Sequence, residues 1–345
     1  MSERPFDRAH LLKWLGAAAA GGLVPGALAE AAQAQGEGFL RAHPRWQFVF
    51  VNHATANPFF VPTRYGIEDA CALLGTSYRW TGSLRSDVGE MVAQMQHAIA
   101  QKADGIAVSI IDPRVFNEPT ARAIAHGIPV VSYNADGGRA NQRLAYIGQD
   151  LYQSGLQFGA RIARLVGEGD VTIFVATPGE LNIQPRADGA LDAIKDSGKP
   201  IRASVVATGP DVRKERAKIE ATYLRRKGLR GMFAVDGGST QGVAEVMRKY
   251  GLHKHGVRAG GYDLLPGTLH AIGDGHLDFT IDQQPYLQGF LPILQLFLVK
   301  YTSGLVAPAD TNTGLLFVTR RNVKRYLTTT TRYEGSARVR EYPVS

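Results

Sequence analysis

Two hydrophobic periods alternate along most of this chain. Short apolar runs recur at Trp46–Val51, Ser77–Thr81, Gly105–Ile110 and Ile128–Tyr133, and each reads as a strand. Between them, longer stretches at Thr63–Leu74, Asp87–Lys102 and Pro113–His126 read as helices. Strands that alternate with helices of this length predict a parallel sheet covered on both faces. Pro113 suits the first turn of a helix, with Asp112 placed to cap it.

A second series opens after Asn134-Ala135-Asp136-Gly137-Gly138. Its predicted strands are Val171–Ala176, Ile201–Thr208, Gly231–Val235, Arg258–Tyr262 and Leu277–Ile281. Its helices are Asp150–Gly167, Pro185–Ser197, Asp211–Lys227, Thr240–Tyr250 and Leu264–Gly273. A last long helix, Pro285–Thr302, has no strand partner in this series and is expected to return to the first. The predicted fold class is therefore α/β, with two doubly wound parallel-sheet lobes joined by a hinge of three segments. The N-terminal lobe is expected to take residues 40–134 plus 284–311, and the C-terminal lobe residues 135–283 plus 312–345. Hinge candidates are Asn134–Gly137, Ile281–Gln284 and Asp310–Gly314. After the leader described next, roughly 310 residues remain, more than one core usually serves.

The first residues break the pattern. Arg4, Arg8 and Lys13 lead into a short apolar stretch, an Ala/Gly run and Ala32-Gln33-Ala34. A basic start, apolar middle and small-x-small end read as a secretory signal peptide over residues 1–34, cleaved before Gln35, so the mature protein is expected in the periplasm. Pro25 and Gly26 interrupt the stretch too early for a membrane span. Arg8-Ala9-His10-Leu11-Leu12-Lys13 also looks like a degraded twin-arginine signal, and the choice between the two export routes stays open.

Composition narrows the function classes. Charged residues are 20% and hydrophobic residues 44%, ordinary for a soluble globular protein. With one cysteine, Cys71, there can be no internal disulfide, and it reads as a small core residue. The net charge of +8 is spread out, and its dense clusters, Arg213 to Lys218, Arg225 to Lys227 and Arg320 to Arg325, read as solvated helix faces rather than a nucleic-acid footprint. No dinucleotide fingerprint follows a strand, the Gly237–Gly242 turn lacks a phosphate-loop Lys, and no Gly-x-Ser-x-Gly elbow occurs. The histidines lack zinc spacing, so neither catalysis, a cofactor nor a metal is expected.

Ligands of open parallel sheets sit beyond the carboxyl ends of the strands. Polar residues collect there in this chain. His53 and Asn57 follow the first strand, Asp112 the third and Asn134 the fourth; Asn182, Asp236, Asp263 and Gln283 follow strands of the second series.

These positions lie among motifs that together resemble the ribose- and galactose-type periplasmic sugar-binding proteins, the type I periplasmic-binding-protein fold. The motifs are Asn57-Pro58-Phe59-Phe60; Ala103-Asp104-Gly105-Ile106 leading to Asp112; Gly127-Ile128-Pro129-Val130-Val131; Tyr146-Ile147-Gly148-Gln149-Asp150; Phe233-Ala234-Val235-Asp236; Gly261-Tyr262-Asp263; and Thr280-Ile281-Asp282-Gln283-Gln284-Pro285. The resemblance covers nearly the whole chain after the leader. It implies that Asn57 hydrogen-bonds a ligand hydroxyl and that Phe59 and Phe60 pack on the carbon faces of a sugar or polyol. It also implies that Asp112, Asp236 and Asp263 accept hydroxyl hydrogen bonds, that Gln283 makes a polar contact near the hinge, and that Arg186 is the arginine of the second lobe. His53 departs from the smaller polar residues usual at its position, Trp80 stands near the expected rim, and Asp282 adds an acid beside Gln283. The implied partner is an ABC-transporter permease, with a sensor kinase or chemoreceptor as the alternative. A repressor with the same fold would need a helix-turn-helix where this chain has an export signal.

Overall fold

The structure is a computed structural model that describes residues 42–209, 211–226, 228–304 and 308–328. The leader expected over residues 1–34 lies outside them. Both lobes lie within one unit of the chain that starts at Arg45.

The first sheet contains β1 (Gln47–Asn52), β2 (Ser77–Gly82), β3 (Gly105–Val108), β4 (Val130–Tyr133), β5 (Tyr146–Gly148) and β11 (Thr311–Asn312), in the order β11-β5-β4-β3-β1-β2 and parallel throughout. Its helices are α1 (Val61–Leu74), α2 (Val88–Ala100), α3 (Asn117–Ala125) and α9 (Leu287–Tyr301). The second sheet contains β6 (Gly169–Val175), β7 (Ile201–Ala207), β8 (Gly231–Ala234), β9 (Arg258–Tyr262), β10 (Phe279–Asp282) and β12 (Leu316–Thr319), in the order β12-β10-β9-β8-β6-β7. Only β12 runs antiparallel, against β10. Its helices are α4 (Leu151–Val166), α5 (Gln184–Asp196), α6 (Val212–Arg225), α7 (Gly237–Lys249), α8 (Pro266–Gly273) and α10 (Val323–Thr328).

The continuous apolar runs follow from burial on both faces. In β1, Phe48 and Phe50 enter one core with Ile67, Ile293 and Phe297, while Val49 and Val51 enter another with Met91, Ile106 and Phe116. In the second sheet Ile173 and Val175 face Phe158 and Phe279, while Phe174 faces Ile219 and Met247. Side chains that alternate across a strand produce this division. Cys71 is buried in the first of these cores, as its apolar surroundings predict.

As its lack of a strand partner predicts, α9 returns to the first lobe and packs on α1. Glycines permit the close approach. A Cβ on Gly289 would lie 1.9 Å from the Thr63 carbonyl oxygen, and one on Gly66 would lie 2.1 Å from that of Tyr286. The Thr63 hydroxyl donates to the Pro285 carbonyl at 2.9 Å beside this contact.

Two differences from the predicted pattern concern the hinge. Tyr146–Gly148 pairs with β4, so the chain leaves the first sheet after Gly148 and not at Asn134–Gly137. A strand of three residues is too short to display a period, which is why the crossing reads too early. At the third crossing β11 and the antiparallel β12 are also unforeseen strands. The other two crossings run between β10 and α9 and between β11 and β12.

Gly289→Ala should lower stability by about 1–3 kcal/mol, since the added methyl group meets backbone rather than a movable side chain. Chemical denaturation of wild type and variant measures this; equal midpoints would contradict the close packing of α1 and α9.

Candidate functional site

In each sheet the strand order reverses at its first strand. β1 lies between β3 and β2, and β6 lies between β8 and β7. Loops that leave neighbouring strands toward opposite faces open a crevice at such points. The two crevices face one another and enclose a cavity of about 90 Å³.

The first wall is the loop after β1. Asn52 holds it, accepting from the Ala54 N–H at 2.7 Å and donating to the Tyr133 hydroxyl at 2.7 Å. Asn57 Oδ1 caps the short 3-10 turn Pro58–Phe60 through the Phe59 N–H at 3.0 Å, which leaves its amide NH₂ for the cavity. Phe59 and Phe60 meet edge to face at 4.8 Å, and His53 meets Phe60 edge to face at 5.3 Å. Burial pushes the His53 imidazole down to about 4, so the ring is neutral at ordinary pH. Its Nδ1 lies 2.8 Å from Ser109 Oγ and its Nε2 3.3 Å from Asn182 Nδ2. The amide can only donate, so Nε2 accepts and the proton sits on Nδ1.

The second wall centres on Arg186, which is 3% exposed. Its guanidinium donates to the Val235 carbonyl at 3.0 Å and to Gln283 Oε1 at 2.8 Å, and lies 4.4 Å above the Tyr262 ring. Gln283 then donates to Asp263 Oδ1 at 2.6 Å. Burial raises Asp263 to about 6, against the opposing pull of Arg186 and Gln283. Asp236 caps α7, accepting from the Ser239 N–H at 2.8 Å and from the Ala176 N–H at 3.0 Å. Asn134, at the end of β4, donates to Gln288 at 3.0 Å.

The walls touch. The Leu181 N–H donates to the Ile111 carbonyl at 3.0 Å, Asn182 reaches His53, and Ser86 stands beside Glu180. Burial raises Glu180 to about 7 against the opposing pull of Ser86. The structure is thus a closed form. Ser86, Asn134 and Asp263, all lining the cavity, hold positive φ angles of 59°, 64° and 74°. Such strain in non-glycine residues costs about 1–3 kcal/mol each and persists only where surrounding contacts over-determine it.

His53, Asn57, Phe59, Phe60, Asn134, Asn182, Arg186, Asp236, Asp263 and Gln283 all line this one cavity. Asp112 does not. Its Oδ1 accepts from the N–H groups of Arg114 and Val115 at 2.8 and 2.9 Å, so it closes the turn before α3; the helix expected to start at Pro113 starts at Asn117, with Phe116 and not Asp112 as its N-cap. Asp282 also turns away, accepting from the Gln284 N–H and the Tyr326 hydroxyl. Trp80 packs behind the wall against Phe50, Phe60 and Tyr133.

Sequence reasoning missed Ser86, Thr177, Glu180, Glu215, Gly237 and Gly238. Thr177 and Glu180 follow β6 directly, so the rule that found the others applies to them too. Glu215 had no such signal, because it sits within the charged run Arg213 to Lys218. Lys214, Arg216 and Lys218 do face solvent, yet Glu215 is 2% exposed. Among the described residues no cluster of His, Cys, Asp and Glu is arranged to hold a metal ion.

Comparison with known proteins agrees with this geometry. A family model described as a periplasmic binding protein domain matches residues 48–299. The xylose/arabinose-binding protein XylF of Sulfolobus acidocaldarius is 51% identical over 309 residues, 86% of this chain and 76% of the relative. The D-allose-binding periplasmic protein of Escherichia coli is 26% identical over 277 residues, 76% of this chain and 87% of the relative. An ABC transporter solute-binding protein from Burkholderia graminis, solved in complex with D-arabinose, has a TM-score of 0.77 at 25% identity, covering 85% of this chain and 100% of its own.

One imidazole in a ¹⁵N spectrum, assigned by its loss in His53→Asn, should keep a protonated Nδ1 and a bare Nε2 from neutral pH down to about 5. Titration of that ring at the ordinary histidine value would contradict the buried, neutral placement.

Proposed function

Because the chain belongs to the periplasmic binding protein family, we propose that it captures an aldopentose of the xylose or arabinose type between its lobes and presents the closed form to an ABC-transporter permease. The family is one of binding proteins, and the chain is not an enzyme. The observation that carries the reading is a pair of polar atoms in the cavity walls. Arg186 Nε and Asn182 Oδ1 are buried and have no protein partner. An unpaired buried donor or acceptor costs about 1–3 kcal/mol, which a ligand hydroxyl between the lobes would recover. One atom is a donor and the other an acceptor, and a hydroxyl serves both. Phe59 and Phe60 supply the apolar surface that the C–H face of a sugar ring needs.

The choice of a pentose rests on the 51% identical xylose/arabinose-binding relative and on D-arabinose in the Burkholderia structure. Closure follows from ligand contacts made by both walls, which favour the closed form over the open one. Export belongs to the same reading and is supported by the leader pattern of residues 1–34. Among the described residues no helix is long and apolar enough to cross a membrane.

Titration calorimetry of the exported protein, its mass beginning at Gln35, should show xylose or arabinose binding in preference to allose. Asp263→Ala should weaken that binding by about 1–3 kcal/mol, roughly 5-fold to 150-fold. No heat with any pentose, or unchanged affinity in a folded Asp263→Ala, would refute the assignment. Co-purification with a sensor kinase or chemoreceptor, and not with a permease, would reassign the partner.

A further inference from the structure

The cavity wall contains an acid that the sugar reading does not use, Glu215, beside one that it does, Asp236. Glu215 projects from α6 into the cavity wall, where it and Asp236 both accept from Ser239. Its Oε2 accepts from the Ser239 hydroxyl at 2.8 Å, and that hydroxyl lies 2.8 Å from Thr208 Oγ1. Asp236 accepts two backbone N–H bonds and caps the N-terminus of α7, both of which favour its ionised form. Glu215 has a single hydroxyl donor. Two carboxyl groups held by one serine and shielded from water cannot both carry charge without a cation, and the asymmetry of partners places the proton on Glu215.

No cation neutralises the pair among the described residues. Besides burial, Asp236 and Asp211 raise Glu215 by their charge, and the neighbouring Lys214 pairs with Asp211 at 3.8 Å and not with the two acids. Elsewhere in the cavity wall the titratable groups are Asp263, Glu180 and neutral His53, and the one cation, Arg186, is turned to Val235 and Gln283. On the packed face of α7, Glu245 and Lys249 pair with Arg216 and Glu220 instead. Gly237 and Gly238 leave the space the acids occupy. A Cβ on Gly238 would lie 2.5 Å from Glu215 Oε1, and one on Gly237 would lie 2.9 Å from Asp263 Oδ2.

We propose that Glu215 and Asp236 share one proton in the closed cleft, that sugar binding is linked to this proton, and that Glu215 is thereby a positioning residue for Asp236. The inference rests on the pentose reading for its ligand but not for the acid pair itself. Closure removes water from both carboxyl groups, so the pair holds its proton more tightly closed than open, and binding takes up a proton where the open form has lost it. Affinity is therefore full at pH values below the titration of the open pair. It falls about tenfold per pH unit above that, until the closed pair also titrates. Burial raises both carboxyl groups in the closed form, Glu215 strongly, so the fall ends well above the ordinary carboxyl range, where the closed pair titrates.

Infrared spectroscopy of the sugar-free protein in D₂O tests the pair without reference to any ligand. On raising the pH, a protonated-carboxyl C=O band should persist above the ordinary carboxyl range of about 4 and should be missing in Glu215→Gln. Calorimetry with D-xylose, in two buffers of different ionisation heat, should then show proton uptake and the loss of affinity with rising pH in wild type. Glu215→Gln should show neither, while Glu118→Gln, which changes an exposed acid outside the cavity, should retain both. Absence of the band, or superimposable pH profiles for wild type and Glu215→Gln, would overturn the proposal. A band with no D-xylose binding at any pH would uphold the shared proton, refute its linkage to D-xylose and count against the pentose reading.

Discussion

A buried amide must find partners for both its oxygen and its nitrogen, and at Gln288 that requirement ties the hinge together. The side chain is fully buried at the first turn of α9. Its oxygen accepts from Asn134, and its NH₂ donates to the Gln283 carbonyl at 3.0 Å and lies 3.3 Å from both Gln283 Oε1 and Thr313 Oγ1. Thr313 donates its own hydroxyl to the Gln283 carbonyl, and its N–H to the Gly148 carbonyl, each at 2.9 Å. Gln149 completes the connection by donating to the Gly314 carbonyl at 3.0 Å. All three crossings are thus joined by bonds that burial makes expensive to break.

The cavity inherits its geometry from this junction. Gln283 belongs to one crossing and also sits between Arg186 and Asp263, so hinge and second wall share a side chain. Asn134 connects the first wall to Gln288 in the same way. A rotation of one lobe must therefore be absorbed in the short crossing segments while these bonds hold. Among the described residues the polar contacts that oppose reopening are few and local: the hydrogen bonds of Leu181 to Ile111 and Asn182 to His53, and Glu180 beside Ser86. Three consecutive residues of one loop make them all. Contacts so few leave a ligand with much of the free energy of closure to supply.

Strand and helix positions were legible in the sequence because both sheets are buried on two faces, which makes runs such as Phe48–Val51 and Ile173–Val175 continuously apolar. The return of α9 was legible because it lacked a strand partner. The first crossing was not, since β5 and β11 are held by register with neighbours and have no period of their own. Most of the cavity was legible for a geometric reason: parallel sheets deliver the ends of their strands to one edge, and His53, Asn134, Asn182, Asp236 and Asp263 stand there. Asp112 stands there too, but its carboxylate is taken by local N–H groups, a competition that residue type alone does not reveal. Glu215 was hidden for the opposite reason, as a buried acid among exposed charges of one helix.

The central claim is that two lobes close on a pentose and that the geometry described here is the closed state. Small-angle X-ray scattering of the protein with and without saturating D-xylose or arabinose tests it most directly. The account predicts a larger radius of gyration without sugar, and with sugar a curve that matches this structure. Identical curves in the two conditions, at a sugar concentration shown by calorimetry to saturate, would contradict it.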